Sequence, residues 1–290
     1  MGRVIGAWVL LLAASTALAQ VPAPQVAAVQ PPAWLLRNDL RQAVAPGAPL
    51  QPGDRLQTGV DGRLHLDLPD GSLVKLGAAA DFELTLASRG DRLFRGALKV
   101  LKGAFRYSTR AIGALQRRDI EIHVGPTLTA GIRGTDLWGL SQDSGDLVYL
   151  IEGQIDLRSP HAPPRRLAEA GTAYQVPASG SPESPSRPSD STVRGWIAQT
   201  ELLDEEAALY AGGRHALVLG ERANRATAEA QAARWSTQGY PVEVVAAPSE
   251  ERVVYRLVLA GYGSAPEARR QAPRIAERLG LRTVQVLPPS

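Results

Sequence analysis

The chain has 290 residues, no cysteine, and a formal net charge of +3 at pH 7. This length predicts about two domains with cores of their own. The lack of cysteine excludes disulfides, thiol catalysis, cysteine-ligated metals and lipid attachment through an N-terminal cysteine. No stretch combines clustered basic residues with interleaved aromatic residues, so the sequence does not predict nucleic-acid binding.

Residues 1–19 have the pattern of a cleavable secretory signal peptide. Arg3 precedes a short apolar run, and small residues follow it up to Gln20. The run is shorter than the roughly 20 residues of a bilayer span, so we expect cleavage and no stable membrane insertion. Residues 20–32, rich in proline and alanine, predict an extended tether.

Residues 33–177 show short apolar alternations separated by glycine turns, which is the pattern of β-strands. "GRLHLDLPDGSLVKLG" places alternate leucines on one face, and its Asp70-Gly71 pair is the strongest hairpin signal of the region. "GALKVLKGAFRYST", "DIEIHVG" and "DLVYLIEGQIDLRS" repeat this style without a helical period. We predict an all-β domain, whose topology as a sandwich, roll or short solenoid the pattern leaves open.

Residues 178–192 contain several prolines and no large apolar side chain, which predicts a disordered linker. A helix is predicted over residues 193–211, where Trp196, Leu203 and Tyr210 recur at seven-residue spacing on one face. Such a stripe is typical of packing against the rest of the fold, and a partner-binding seam is the alternative.

Residues 214–288 change their hydrophobic period in the order strand, helix, strand, strand, helix, strand. The strands are "HALVLGE", "PVEVVA", "VVYRLVLAG" and "RTVQVL", and the helices are "ATAEAQAARWSTQGY" and "APEARRQAPRIAERLG". Two such halves normally build a four-stranded sheet with both helices on one face. We therefore predict an α+β domain (βαββαβ) whose sheet has one uncovered face.

The β region resembles a known family. From about Gly47 to Gln175 the chain is similar to the FecR-type periplasmic domain, through "GDRLQTGVDGRLHLDLPDGSLVKLG", "PTLTAGIRGTDLWG", "VYLIEGQIDL" and "LAEAGTAYQV". Classical members place this domain after a cytoplasmic sigma-regulating segment and a membrane helix, and contact a TonB-dependent receptor. Because this chain shows neither preceding part, we expect it to be like the stand-alone exported members.

The C-terminal region resembles another family. From about Arg214 to Leu287 the chain is similar to the SPOR domain, which binds peptidoglycan glycan strands stripped of their peptides, as found at the division septum. "HALVLGERANRATAEAQAARW" and "YRLVLAGYGSAPEARRQAPRI" carry the resemblance. The first strand departs from the family pattern at Val218 and at Gly220-Glu221-Arg222, where a glutamine and Gly-Ser-Phe are frequent.

The motif "TLTAGIRGTD" is a candidate phosphate loop, catalytic turn or sheet corner. Gly131 and Gly134 are only three residues apart and no lysine follows, unlike a phosphate-binding loop that opens a helix. We interpret Gly131, Arg133, Gly134 and Thr135 as a structural turn motif that redirects one strand. Arg133 is expected to pair with Asp136 or another nearby carboxylate.

The sequence shows no constellation typical of an active site. Ser72 and Lys75 fit the S-x-x-K pattern, but positions i and i+3 of a strand face opposite sides. The four histidines lack zinc-ligand spacing, and neither a G-x-S-x-G elbow nor an evident pair of carboxylates for glycan hydrolysis occurs. We expect a protein that is not an enzyme and needs no metal or cofactor.

Strand alternation predicts which side chains lie on the uncovered face of the C-terminal sheet, and the SPOR resemblance implies that this face binds glycan. Arg256 and Gln285 are the predicted donors to glycan oxygens, and apolar side chains are predicted to pack on sugar rings. The alternative is a solvated face without a ligand. The predicted set is Val218, Glu243, Arg256, Val258, Tyr262, Thr283 and Gln285.

These observations predict an exported, non-catalytic envelope protein of the periplasm, associated with the cell wall and expected at division sites. Its predicted partners are denuded glycan strands for the C-terminal domain and another envelope protein for the β domain. The alternative is a periplasmic signalling adaptor that contacts a TonB-dependent receptor and whose C-terminal domain binds protein instead of glycan.

Overall fold

The computed structural model describes residues 23–287 apart from 91–92, 110–116, 133, 161, 207 and 250–251. The predicted signal peptide therefore lies outside the described residues, as does Arg133. Fifteen strands precede the first described helix: β1 (Gln25–Gln30), β2 (Ala33–Arg37), β3 (Leu40–Ala43), β4 (Asp54–Thr58), β5 (Arg63–Asp67), β6 (Leu73–Leu76), β7 (Asp81–Arg89), β8 (Leu93–Ser108), β9 (Arg117–Val124), β10 (Leu128–Ile132), β11 (Asp136–Gln142), β12 (Gly145–Glu152), β13 (Ile155–Ser159), β14 (Ala162–Leu167) and β15 (Thr172–Pro177).

The remaining described elements belong mostly to the C-terminal domain. They are α1 (Asp190–Ala198), β16 (Leu209–Tyr210), β17 (His215–Arg222), α2 (Arg225–Thr237), β18 (Val242–Ser249), β19 (Arg252–Tyr262), α3 (Ala265–Leu279) and β20 (Gln285–Leu287). The order from β17 to β20 is the predicted strand, helix, strand, strand, helix, strand. The predicted fold class, an all-β domain followed by an α+β domain, is confirmed.

Strands β1 to β16 form two sheets that share the long strand β8. Sheet A has the order β15–β12–β11–β8–β6–β5–β1–β16, and sheet B has the order β3–β2–β4–β7–β8–β9–β10–β13–β14. Strand β8 passes from sheet B to sheet A at Gly103, whose φ is +91°. A Cβ there would lie 2.6 Å from the Cα of Ala80, so this crossing needs a glycine.

The core lies between the two sheets, because alternate residues of each strand point inward and are apolar. In β9, for example, Ile120, Ile122 and Val124 are buried and the residues between them are at least partly exposed. Sheet A contributes leucines, valines and Phe105 to the same cluster. This two-sheet arrangement answers the topology question that the sequence left open.

The predicted tether is wrong from Gln25 onward. Val26 and Val29 are fully buried in β1, which pairs with β5 on one side and β16 on the other. A register shift between Val26 and Ala28 marks a bulge, which lets both valines point into the core although their spacing is odd. Tertiary pairing therefore overrides the composition of this segment.

The predicted disordered linker is also ordered along the edge of sheet A. Ser186 and Ala173 of β15 exchange backbone hydrogen bonds of 3.0 and 2.8 Å, and Glu183 N–H donates to Gln175 O at 2.9 Å. Arg187 forms an ion pair with Glu169. The edge strand β15 supplies backbone partners that local composition does not reveal.

The helix predicted over residues 193–211 is wrong in its bounds. It begins at Asp190, where the Ser189 side chain accepts a hydrogen bond from Thr192 N–H as an N-cap, and it ends at Ala198. Of the predicted stripe, Trp196 packs against sheet A, whereas Leu203 lies in an irregular segment and Tyr210 lies in β16.

Residues 190–206 form what we call the strap, which crosses the outer side of sheet A. Trp196 of α1 stacks on Trp138 of β11, with ring centroids 5.1 Å apart and planes 3° apart. Tyr149 of β12 meets Trp196 edge-on at 5.7 Å. Trp138 is thereby fully buried although it lies on the side of sheet A away from the main core.

Side chains of β1, β6 and β8 bind the rest of the strap. Glu201 pairs with Lys75 of β6, and Arg106 of β8 donates to the same carboxylate at 3.0 Å. The buried Gln30 of β1 donates to Leu203 O at 2.9 Å and accepts from Leu203 N–H at 3.0 Å. These contacts hold residues 199–206 in a non-helical conformation that leads to β16.

The C-terminal domain is joined to the β domain by backbone pairing. Leu209 of β16 pairs with Tyr262 of β19, while β16 also pairs with β1. Helix α2 contacts the β2–β3 hairpin, where Ser236 Oγ accepts from Ala43 N–H at 2.9 Å and Thr237 O accepts from Trp34 Nε1 at 3.2 Å. The two domains therefore share a bonded interface and are not separated by a free linker.

Candidate functional site

The four strands β18–β19–β17–β20 form the C-terminal sheet, in that order. Helices α2 and α3 pack on one side of it, where Ala232, Trp235 and Ile275 join Leu257 and Leu259 in the core. The other side therefore carries the intervening residues of each strand. We call this side the open face.

One row of side chains crosses the open face from edge to edge. Backbone register places Gln285 opposite Val218, Val218 opposite Val258, and Val258 opposite Glu243. Four residues predicted from the sequence thus lie side by side on four strands. The row is apolar in its centre and polar at both ends.

The two ends of this row are more accessible than its centre. Gln285 and Glu243 are exposed to solvent, whereas Val218 and Val258 are only 7% and 5% exposed. A ligand on this face would therefore make most of its contact with the polar side chains, and less with the valines than the sequence predicted.

Arg256 lies in the neighbouring row, and its partner was not predicted. Its Nε donates to Glu221 Oε1 at 2.8 Å, and the two side chains are 33% and 43% exposed. Arg222 lies beside this pair, because its Nη1 donates to Glu221 O at 2.9 Å. A guanidinium has five N–H donors, so Arg256 keeps donors for a ligand while its orientation is fixed by Glu221.

Glu221 reaches the open face through a bulge in β17. Val218 pairs with Val258 of β19, and Gly220 pairs with the adjacent Leu257, so Leu219 is an extra residue in β17 with no partner in β19. Strict alternation from Val218 would have pointed Glu221 toward the helices. The one sequence signal was Gly220 inside a strand pattern, which is typical of bulges.

Tyr262 does not belong to the open face, and this part of the predicted site is wrong. It is 1% exposed and belongs to the core, and burial raises the pKa of its hydroxyl. His215 of β17 pairs with Tyr262, but the next residue, Ala216, pairs with Ala260. Gly261 is therefore an extra residue in β19, and this bulge turns the Tyr262 side chain inward.

Thr283 is exposed but precedes β20, which begins at Gln285. The structure thus groups Val218, Val258, Glu243 and Gln285 in one row and Arg256 beside it. Thr283 lies at the rim, outside the strand ladder.

The glycine-rich motif lies where the chain passes from sheet B to sheet A. Gly131 is inside β10, and Gly134 has a φ of +66°, which favours glycine. Thr135 N–H donates to Thr109 Oγ1 at 2.8 Å, and Thr135 Oγ1 donates to Gln154 O at 2.9 Å. Arg133 is outside the described residues, so its predicted ion pair stays a prediction.

The S-x-x-K residues do not meet. Ser72 is fully buried, donates to Asp70 Oδ2 at 2.6 Å and accepts from Tyr107 Oη at 2.8 Å, whereas Lys75 faces the strap and pairs with Glu201. Asp70 is also held by Arg118 at 2.8 Å. This network links the β5–β6 hairpin to β9 of sheet B and leaves Ser72 no access to solvent.

His65 is the titratable side chain most perturbed by the strap. Its Nε2 lies 3.3 Å from Thr200 O, and burial, with a smaller contribution from Lys75, lowers its pKa to about 4. The described residues contain no group of three or more His, Cys, Asp or Glu side chains that could hold a metal ion. Within the same part of the chain, no helix has the length and apolar character of a membrane span.

Comparison with known families agrees with this architecture. The model of the FecR protein family matches residues 54–156, and the model of the SPOR domain matches residues 211–286. The chain therefore carries a FecR domain and, after it, a SPOR domain. Both are domains of envelope proteins, and the SPOR domain is a peptidoglycan-binding type.

Solved structures and curated proteins add little to this assignment. Two crystal structures of a candidate anti-sigma factor from Parabacteroides distasonis ATCC 8503, at 2.50 and 1.65 Å resolution, share 13% identity with this chain. Each match covers 81% of this chain and 99% of that one, with a TM-score of 0.41, which defines neither a common fold nor a function. No curated protein matches the chain.

Proposed function

We propose that this protein is an exported, non-catalytic envelope protein that binds denuded peptidoglycan glycan strands through the open face of its SPOR domain. The observation that carries the proposal is the row of Gln285, Val218, Val258 and Glu243, with Arg256 beside it, on the side of the sheet away from α2 and α3. Polar side chains around a small apolar centre suit a carbohydrate.

A side of a four-stranded sheet fits a polymeric ligand. A single sugar would touch few side chains there, but a glycan strand repeats its units and offers many adjacent sites. Rebinding along such a strand raises the overall affinity without any new contact. We therefore place the protein at the cell wall of the periplasm, and at division sites where glycan strands lose their peptides.

The FecR domain is proposed to contact another envelope protein. It is bonded to the SPOR domain through β16 and the contact of α2 with the β2–β3 hairpin, so a partner bound there would be held at a fixed position relative to the glycan. Neither domain is proposed to perform catalysis or to need a cofactor.

A sedimentation experiment with purified sacculi tests this function. The purified chain is mixed with sacculi before and after an amidase has removed the peptides. We expect retention to rise at least several-fold on the stripped sacculi, since free glycan strands become accessible. No retention on either preparation, together with capture of the chain by a TonB-dependent receptor's periplasmic segment, would instead support the signalling adaptor.

A further inference from the structure

A groove lies over sheet B of the FecR domain and shares no residue with the open face of the SPOR domain. It has a volume of about 1250 Å³ and follows strands β9, β10, β13 and β14. A smaller depression of about 450 Å³ continues beyond β14 and shares Pro164, Arg165 and Arg166 with it. Neither the glycan-binding proposal nor the core of the FecR domain uses this space.

The floor of the groove depends on Gly131 of the glycine-rich motif. Register places Gly131 between Glu121 of β9 and Asp156 of β13, and Asp156 opposite Arg166 of β14. Gly131 contributes no side chain to this row, so the backbone forms the floor. A Cβ there would meet only Asp156, at 3.6 and 3.8 Å, which is ordinary contact. The glycine is thus not required by close packing.

The side chains that line the groove are more basic than acidic. They include five arginines against three carboxylates, which are Arg117, Arg118, Arg158, Arg165 and Arg166 against Asp119, Glu121 and Asp156. Carboxylates hold three of the arginines, through the pairs Arg158–Glu121, Arg166–Asp156 and Arg118–Asp70.

Arg117 and Arg165 supply the excess positive charge. Neither forms a salt bridge with a described residue, and the lining carboxylate Asp119 forms none either, so the unpaired groups of the groove have a net charge of +1. Arg117 is exposed at the start of β9. Arg165 is exposed on β14, and its guanidinium carbon lies 5.9 Å from the ring centroid of Tyr174, which lines the smaller depression. The two cations therefore lie on β9 and β14, the outer two of the four strands that the groove follows, and their fork-shaped donors match carboxylates.

We propose that this groove binds an extended, acidic peptide segment of a partner protein. Crossing four strands at about 4.8 Å spacing gives the groove a length of roughly 15–20 Å, which is about five or six residues of extended chain. The peptide would run across the strands, because Pro163 and Pro164 interrupt the donors of the edge strand β14 and disfavour strand addition. The inference rests on the proposed protein-contact role of the FecR domain and not on glycan binding.

The test measures binding of a fluorescent octaglutamate peptide to the purified chain by anisotropy, with an octaglutamine peptide as the neutral probe. We expect binding of octaglutamate only, and weakening as salt rises. Gly131→Val fills the floor without changing charge, and Arg117→Gln with Arg165→Gln removes the unpaired cations. Each variant should weaken binding at least tenfold. The matched control, Arg269→Gln with Arg270→Gln on the exposed face of α3, should bind as the parent chain does.

The outcomes separate this proposal from the glycan proposal. Retention on stripped sacculi should be the same for the parent chain and for both groove variants. Absence of octaglutamate binding, or equal losses in the control, would overturn the groove while leaving the glycan site intact. If Gly131→Val does not fold, as judged by its melting curve, the double arginine variant alone decides. Equal displacement by inorganic phosphate at matched charge would show a general anion site and would also overturn the peptide proposal.

Discussion

The outer side of sheet A and the open face of the C-terminal sheet are both faces of antiparallel strands, but they carry different side chains. Sheet A presents Trp138 and Tyr149, and the chain covers them with Trp196 of the strap. The C-terminal sheet presents two valines between Gln285 and Glu243, and its own helices lie on the other side.

The size of the apolar surface distinguishes a face used for packing from a face available for binding. Large aromatic surfaces are costly in water, so the chain buries them with a segment of its own. A narrow apolar centre that is only 5–7% exposed costs little, and the polar side chains at its two ends remain accessible to a ligand. The aromatic face therefore serves packing, and the valine-centred face fits the binding role that we propose for it.

The largest expected effect comes from removing the cover of sheet A. Trp196→Ala deletes the ring stacked on Trp138, leaving an aromatic surface exposed. We expect the free energy of unfolding to fall by about 3 kcal/mol. Denaturant unfolding checks this, with Arg194→Ala, an exposed position of the same helix, as control. A loss as small as in the control would mean that the strap does not stabilise sheet A.

A smaller effect is expected from the pH dependence of His65, which lies under the strap near Lys75 and Glu201. Its pKa in the folded chain is about 4, below the value of 6.5 for a free histidine. Between these values the unfolded chain binds a proton that the folded chain does not, so stability falls as pH drops from about 6.5 to about 4 and is level above that window.

Unfolding measured at pH 7 and pH 5 should show a loss of about 1–2 kcal/mol from this residue. His65→Gln keeps a donor for Thr200 O and cannot titrate, so its stability should change less over the same range. An identical pH dependence in both chains would show that His65 is not buried in its neutral form.

The smallest effect concerns the open face. Glu221 orients Arg256, but in the proposed glycan complex its negative charge would repel the free carboxylates of denuded muramic residues. Glu221→Gln should increase retention on stripped sacculi about threefold, or about 0.6 kcal/mol. Glu229→Gln on α2 removes a comparable exposed ion pair away from this face and serves as control. Weaker retention of Glu221→Gln would mean that Glu221 itself contacts the glycan.

Local patterns predicted much of this fold because alternation and turn residues act over short distances. The Asp70-Gly71 hairpin connects β5 and β6 as expected, and the order of elements from β17 to β20 follows the hydrophobic period. The row of Val218, Val258, Glu243 and Gln285 was predictable from the same alternation.

The errors arose where distant segments or bulges decide the structure. Strand β1 and the segment at Ser186 are ordered by pairing with strands remote in sequence, which composition does not show. The bulge at Gly261 reversed the expected side of Tyr262, and the bulge at Leu219 brought Glu221, which was not in the predicted set, to the open face. A one-residue insertion changes every later side chain, so alternation alone fails there.

The most direct test of the central claim removes the exposed donors of the open face. Arg256→Ala combined with Gln285→Ala should lower retention on amidase-stripped sacculi at least tenfold while leaving the melting temperature nearly unchanged. Arg234→Ala combined with Gln238→Ala, on exposed positions of α2 and its C-cap, is the matched control and should bind normally. Undiminished retention by the folded open-face variant would contradict the account.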